Sequence, residues 1–231
     1  LFDVTKKETL QKNAPLAQRM RPQTLDEILG QSHIIGPGKL LRRAIETDKL
    51  SSLIFWGSPG CGKTTIASVI ANVTNKFYAS LNAVTDGVQD LRKVTAAAEE
   101  NLSLYGKQTI LFIDEIHRFN KGQQDALLPW VEKGLIVLIG ATTQNPYFSL
   151  NPALLSRSMI FELKPLQKED IACILERSCR DVKRGLGAYK LEVTPEAIAH
   201  LCNCSQGDAR IALNGLELAV LSSRPDERGV R

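Results

Sequence analysis

No stretch of this 231-residue chain is long and apolar enough to span a membrane, and Leu1-Phe2-Asp3 does not open a secretory signal. Neither a membrane protein nor an exported one is expected. Cysteine is scarce and odd in number: Cys61, Cys173, Cys179, Cys202 and Cys204. That count and the irregular spacing argue against a disulfide framework and for free thiols in a reducing cytoplasm. Histidine is scarcer still, and His33, His117 and His200 lie far apart. Cys202-x-Cys204 has no second ligand pair near it, so a zinc centre is not expected. Internal repeats and low-complexity segments are also missing. The net charge of +4 is too small to signal a nucleic-acid partner by itself. What remains is 43% hydrophobic and 23% charged, the composition of an ordinary globular protein. The length suits one α/β domain with a small companion.

Against that background one segment stands out. Gly57-Ser58-Pro59-Gly60-Cys61-Gly62-Lys63-Thr64 fills every fixed position of the phosphate-binding loop G-x-x-x-x-G-K-[ST]. The apolar run Leu53-Ile54-Phe55-Trp56 leads in as a buried strand, and Thr64-Thr65-Ile66-Ala67-Ser68-Val69-Ile70-Ala71 leads out with helical spacing. Glycines let successive N–H groups turn toward a polyphosphate, and the helix N-terminus adds its positive dipole end. Lys63 is expected to reach the β and γ phosphates, and the Thr64 hydroxyl to ligate Mg²⁺.

The rest of the chain alternates. Thr24-Leu25-Asp26-Glu27 reads as a capping box for a short helix ending at Gly30, and Lys39–Leu50 as an amphipathic helix. Further strands are predicted at Lys76–Leu81, Gln108–Ile113, Leu135–Ile139 (bounded by glycines) and Ile160–Leu163. Helices are predicted from about Val88 to Leu102, and from an Asn120-x-x-Gln123 cap to about Lys133. Strands alternating with helices define an α/β fold with a doubly wound parallel sheet. After Pro165 only helices follow. One spans Lys168–Val182, a second starts at Thr194-Pro195, and a third, capped by Ser205-x-x-Asp208, runs to about Ser222. Residues 1–15 thus read as an arm, 16–165 as the strand domain and 166–231 as a small helical domain. Lys6, Lys7, Lys12, Arg19 and Arg21 cluster near the start, with Arg42-Arg43 following. Such residues meet phosphates by counterion release or stay solvated, and composition does not choose between the two.

Ile110-Leu111-Phe112-Ile113-Asp114-Glu115 delivers two acids at the carboxyl edge of a strand, where open α/β sheets bind ligands. Asp114 suits Mg²⁺ through its water shell, and Glu115 suits the polarising of a water that attacks the γ phosphate. Hydrolases need such a base; nucleotide kinases do not. Gly140-Ala141-Thr142-Thr143 ends the next core strand, with Thr143 the candidate for a γ-phosphate contact and Thr142 its alternative. Arg157 is either a surface residue or functional, and Arg210 either faces solvent or reaches phosphate.

These elements occur in the order of an AAA+ P-loop ATPase of the clamp-loader clade, and the finer strings resemble the replication-associated recombination protein A family, bacterial relatives of the Werner-helicase-interacting protein. The strings are Pro15-Leu16-Ala17-Gln18-Arg19-Met20-Arg21-Pro22, Ile113-Asp114-Glu115-Ile116-His117-Arg118-Phe119-Asn120, Gly140-Ala141-Thr142-Thr143-Gln144-Asn145-Pro146 and Leu213-Asn214-Gly215-Leu216-Glu217. The resemblance covers nearly the whole chain. It implies an AAA+ domain over 16–165, followed by a helical lid. It assigns Thr143 as sensor 1, Arg157 as the arginine finger of a neighbouring subunit's site, and Arg210 as the sensor 2 arginine on the γ phosphate. It places Leu16, Ile28 and Gln31 around adenine. The family's pattern varies at the positions of Ser58 and Cys61.

The resemblance implies an ATP- and Mg²⁺-dependent ATPase acting on single-stranded or forked DNA at stalled or damaged replication forks, in the bacterial cytoplasm near the nucleoid. ATP is expected between strand domain and lid. The implied partners are DNA, replication proteins such as single-strand-binding protein, and further copies of the chain, as a tetramer in the full-length protein. Members continue into a tetramerisation region beyond the point where this sequence stops, Arg231. Two other readings stand beside this one: a branch-migration motor or clamp-loader subunit, and a nucleotide-dependent DNA- or protein-binding module with little hydrolysis.

Overall fold

The computed structural model of the chain describes residues 14–227, 229 and 230, so Lys6, Lys7 and Lys12 of the expected arm lie outside the described residues. The chain divides into two compact units, one spanning Pro22–Lys164 and the other uniting the described residues up to Arg21 with those from Pro165 onward.

The first unit is built on five parallel strands: β1 (Ser52–Trp56), β2 (Phe77–Asn82), β3 (Thr109–Asp114), β4 (Ile136–Thr142) and β5 (Ser158–Glu162), in the order β2-β3-β4-β1-β5. Strands β1, β3 and β4 lie inside the sheet and are apolar on both faces; every residue of β4 is buried. The edge strands β2 and β5 are only partly covered. Because side chains alternate across a strand, neighbouring residues enter different cores. Leu53, Phe55, Ile110 and Phe112 pack with Leu41 and Ile45 of α3 (Leu40–Glu46) and Ile66, Val69 and Ile70 of α4 (Lys63–Val73). Ile54, Leu111 and Ile113 pack on the other face with Leu91 and Ala98 of α5 (Val88–Tyr105) and Leu127 of α6 (Lys121–Glu132). The unit is therefore a three-layer α/β fold, as the alternation of strands and helices required.

Three local expectations change. Gly140 does not bound β4 but lies inside it: a Cβ there would meet Ile54 Cδ1 at 2.7 Å and Ile116 Cδ1 at 3.0 Å, so any larger residue would have to displace these two buried side chains. Thr24 makes no cap bond. Leu25–Glu27 forms a single 3₁₀ turn, and the Glu27 carboxylate instead accepts the Gln23 N–H at 3.0 Å. Helix α3 stops at Glu46, and Asp48 turns the chain at φ 52°, with its carboxylate paired to Lys76. The Asn120 cap forms as read, its side chain accepting from Gln123 N–H at 2.9 Å while the Gln123 side chain accepts from Asn120 N–H at 2.9 Å. Short helices α2 (Ser32–Ile35), α7 (Pro146–Ser149) and α8 (Pro152–Leu155) complete the unit.

The second unit packs α1 (Leu16–Arg19) against α9 (Lys168–Arg180), α10 (Pro195–Ser205) and α11 (Ala209–Ser222). Leu16 and Met20 enter a core with Ile171, Leu175, Leu213 and Leu216. Arg19 donates to Glu217 Oε1 at 2.8 Å and to Gly185 O at 3.2 Å, and Leu16 N–H donates to Glu217 Oε2 at 2.8 Å. The segment Leu16–Arg21 therefore packs with the helices after Pro165 and not with the sheet, because its apolar face and the partly buried Arg19 find their partners there. Thr194 caps α10, accepting from Ala197 N–H at 3.3 Å. Asp208 alone caps α11, accepting from Arg210 N–H at 2.8 Å. Ser205 closes the preceding helix, its hydroxyl spent on Cys202 O at 2.8 Å. Among the described residues no helix is long and apolar enough to cross a membrane.

Candidate active site

The loop between β1 and α4 is fixed by backbone geometry that side chains would spoil. Gly57, Gly60 and Gly62 all have positive φ, at 154°, 75° and 103°. A Cβ on Gly57 would also stand 2.4 Å from the carbonyl oxygen of Leu163. The first intrahelical bond of α4 runs from Ile66 N–H to Gly62 O at 2.9 Å, so the N–H groups of residues 62–65 have no acceptor within the helix. This is the donor set a phosphate chain requires, at the positive end of an 11-residue helix. The residues present fit a nucleotide's phosphates.

Lys63 is buried, and its ammonium donates to the carbonyls of Gly57 at 2.7 Å and Ser58 at 2.8 Å. Thr64 and Thr65 lie half-buried in the first turn of α4, while Ser58 and Pro59 are exposed and Cys61 is buried. Gln31 holds the loop from behind. It is 1% exposed, donates to Cys61 O at 3.2 Å and Lys164 O at 2.7 Å, and accepts from Lys164 N–H at 3.2 Å. Its amide is wholly engaged with backbone. Ile28 packs partly buried on the core beneath the loop, whereas Leu16 lies in the core of the helical unit.

Strands β3, β4 and β1 are neighbours, so their carboxyl ends bring three groups to one edge. Gly57 N–H donates to Thr142 O at 3.2 Å, which ties the loop to the end of β4. Asp114 ends β3, half-buried. Glu115 follows in the left-handed region at φ 51°, ψ 43°, its N–H donating to Asp114 Oδ1 at 3.1 Å. A non-glycine residue there costs about 1–2 kcal/mol, and such strain gathers where a side chain must be aimed. The Thr143 hydroxyl donates to Glu115 Oε2 at 3.3 Å. Thr142 is fully buried and engages other partners: His117 Nδ1 at 2.9 Å, and Gln144, whose N–H it accepts at 3.0 Å. Of the two threonines, the structure brings Thr143 to the carboxylate. Sequence reasoning passed over His117. Its Nδ1 stands 3.2 Å from Glu115 Oε2, and its side chain is only 5% exposed. Burial pushes the imidazole below its ordinary pKa, Glu115 pulls the other way, and Arg118 adds to the depression.

The remaining candidates are on other elements. Arg157 follows α8, exposed, paired with Glu132 Oε1 at 2.6 Å and donating to Ala153 O at 2.9 Å. Arg210, in the helical unit, is exposed and lies along Asp208, at 2.9 Å from Oδ2. Of the basic cluster, Arg19 is bound to Glu217, and Arg42 is shared between Asp26 and Glu46, each at 2.8 Å. Arg42 is therefore already neutralised.

A glycine-built loop at a helix N-terminus, with an Asp-Glu pair on the strand two places along, defines the P-loop nucleotide-binding class. The profile of the ATPase family associated with various cellular activities (AAA) matches residues 53–166. Among curated relatives, the replication-associated recombination protein A of Haemophilus influenzae is 47% identical over 215 residues, 93% of this chain and 48% of the relative. That of Escherichia coli K12 is 49% identical over 220 residues, 94% of this chain and 48% of the relative. A solved structure of the Thermotoga maritima RuvB Holliday junction branch migration motor superposes with a TM-score of 0.68 at 28% identity, covering 89% of this chain and 68% of that one. The fold is the AAA+ P-loop fold with a doubly wound parallel sheet followed by helices. The chain belongs to the replication-associated recombination protein A family, and it spans about half the length of the curated relatives it matches.

Proposed function

We propose that this chain is the ATPase core of a protein that acts on DNA at stalled or damaged replication forks. The observation that carries the ATPase reading is Glu115. A carboxylate held in a strained conformation beside a complete phosphate loop suits a base for water and serves no evident packing purpose. In this reading the N–H groups of residues 60–65 and the ammonium of Lys63 take the ATP phosphates, with Lys63 exchanging the carbonyls of Gly57 and Ser58 for phosphate oxygens. Thr64 and Asp114 would hold Mg²⁺, which when bound neutralises phosphate charge as a Lewis acid. Glu115 orients and deprotonates the attacking water, and Thr143 steadies Glu115. Arg210 adds charge to the γ phosphate, and Arg157 serves the site of a neighbouring copy. Of the residues that the resemblance places around adenine, Ile28 is the proposed contact, while Gln31 braces the loop and Leu16 is buried among the helices.

The relatives' name supports the setting of replication and recombination. DNA, single-stranded or forked, is the proposed partner, with replication proteins such as single-strand-binding protein beside it. The whole protein is read as an oligomer, a tetramer at full length, in the bacterial cytoplasm and associated with the nucleoid. The RuvB likeness favours a branch-migration motor as the second reading, but at 28% identity it carries less weight than relatives at 47–49%.

Three measurements test this. ATP turnover should be detectable and should rise with forked DNA more than with four-way junctions. Lys63→Ala should lose ATP binding. Glu115→Gln should keep binding and lose about 10²–10⁴-fold in kcat, because it removes only the general base. Wild-type turnover in Glu115→Gln would remove the residue from the mechanism, and preference for the junction would favour the motor.

A further inference from the structure

His117 Nδ1 faces two oxygens at once, Glu115 Oε2 at 3.2 Å and Thr142 Oγ1 at 2.9 Å. Without a proton, Nδ1 would set its lone pair against a carboxylate oxygen. With the proton, both contacts are attractive. Thr142 supports the second assignment. Its hydroxyl proton is in reach of Gln144 O at 3.3 Å, so Oγ1 is left to accept, from Gln144 N–H at 3.0 Å and from Nδ1. Burial keeps the ring neutral, which leaves one ring proton to be placed, and the two oxygens place it on Nδ1.

The consequence concerns Glu115. The Thr143 hydroxyl donates to Oε2, and His117 Nδ1, whose hydrogen bond goes to Thr142 Oγ1, stands 3.2 Å from the same oxygen. Among the described residues nothing donates to Oε1. Both contacts fall on one oxygen, and the other is left to accept. Thr142 O meanwhile accepts from Gly57 N–H at 3.2 Å, so hydrogen bonds link the phosphate loop through Thr142 to His117, which stands against Glu115. We infer that His117 is a positioning residue for hydrolysis: its Nδ1–H, held by buried Thr142 and 3.2 Å from Glu115 Oε2, draws that oxygen in and leaves Oε1 for the attacking water. The strained backbone of Glu115 supplies the need, since a left-handed residue holds its aim only where its surroundings fix it.

This inference rests on the ATPase reading, and the test separates the two. His117→Leu keeps the bulk and removes the donor. His117→Asn places an amide nitrogen the same number of bonds from Cα as Nδ1. For ATP, kcat should fall about 10–100-fold in His117→Leu with KM changed by less than about twofold, since misplacing a base by a fraction of its bond length acts on the transition state alone. His117→Asn should keep kcat within about threefold of wild type. Wild-type kcat in His117→Leu, or equally slow Leu and Asn variants, would overturn the inference. A second readout needs neither variant nor turnover: the imidazole ¹⁵N spectrum of the unsubstituted protein should show His117 as the Nδ1–H tautomer. The Nε2–H tautomer overturns the inference. A wild-type chain that binds ATP without hydrolysing it overturns the ATPase reading instead.

Discussion

Thr109 opens β3 inside the sheet, 3% exposed, and among the described residues its hydroxyl has no hydrogen-bond partner. Other buried polar side chains do better: Gln31 binds loop backbone, Gln124 donates to Phe119 O at 2.9 Å, and Thr95 donates to Leu91 O at 3.0 Å. An orphaned hydroxyl keeps its desolvation cost without a bond to offset it. Thr109→Val should therefore stabilise the protein by about 1 kcal/mol and raise Tm by about 2–4 °C in a thermal melt. A lower Tm would mean that the hydroxyl is bonded in solution. The same reasoning separates the two threonines after Ala141. Only Thr143 is exposed enough to serve the carboxylate and a substrate together, while Thr142 is buried and saturated.

At the scale of elements, the turn after α9 shows how a charge holds backbone in place. Asp181 accepts from Arg184 N–H at 2.8 Å, from Lys183 N–H at 2.9 Å and from Arg184 Nε at 3.0 Å. The Arg184 N–H bond leads in lowering its carboxyl pKa, against the opposing effect of burial. Because the folded value is depressed, the unfolded chain binds the proton more readily. The stabilisation is complete above the unfolded value, about 3.9, and is lost as pH falls through the folded one. Asp181→Asn should cost about 1 kcal/mol in urea unfolding at pH 7 and nearly nothing well below pH 4. A difference independent of pH would show that the charge is not what matters. Gly185 explains why the turn is so tight: a Cβ there would sit 2.1 Å from Ser178 O. The caps at Asn120 and Thr194 were legible because a cap is a matter of spacing within four residues. Thr24 and Ser205 had the same spacing and failed, the first within a single 3₁₀ turn and the second inside the preceding helix.

For the whole molecule the decisive residue is Arg157. Its pairing with Glu132 is a surface contact, with side chains 41% and 49% exposed. Such a pair is worth at most about 1 kcal/mol and yields readily to a stronger anion. If Arg157 serves a neighbouring copy, an isolated chain binds ATP yet lacks the charge that stabilises the transition state, and loss of an arginine finger costs about 10³-fold or more. Specific activity should then rise with protein concentration. Mixing Arg157→Ala with Lys63→Ala should recover turnover that neither has alone, since one supplies an intact pocket and the other an intact arginine. Turnover by Arg157→Ala equal to wild type, independent of concentration, would refute action between copies.

The sequence by itself determined the loop, the strands that lead to it and the two acids, because each depends on spacing within about ten residues: glycines where φ must be positive, apolar runs where a strand is covered on both faces. Glu115 and Thr143 were named from their place after such runs. Only the tertiary structure decided what those residues touch. It brought His117 and Thr142 together across 25 residues, and Gln31 to Lys164 across 133. It joined Arg19 to Glu217 across 198 residues, which moved Leu16–Arg21 out of the strand unit and into the helical one. No local pattern carries such pairings. A partly buried cation or imidazole takes whichever acceptor the packed chain brings within 3 Å or so, and that acceptor is chosen by the fold.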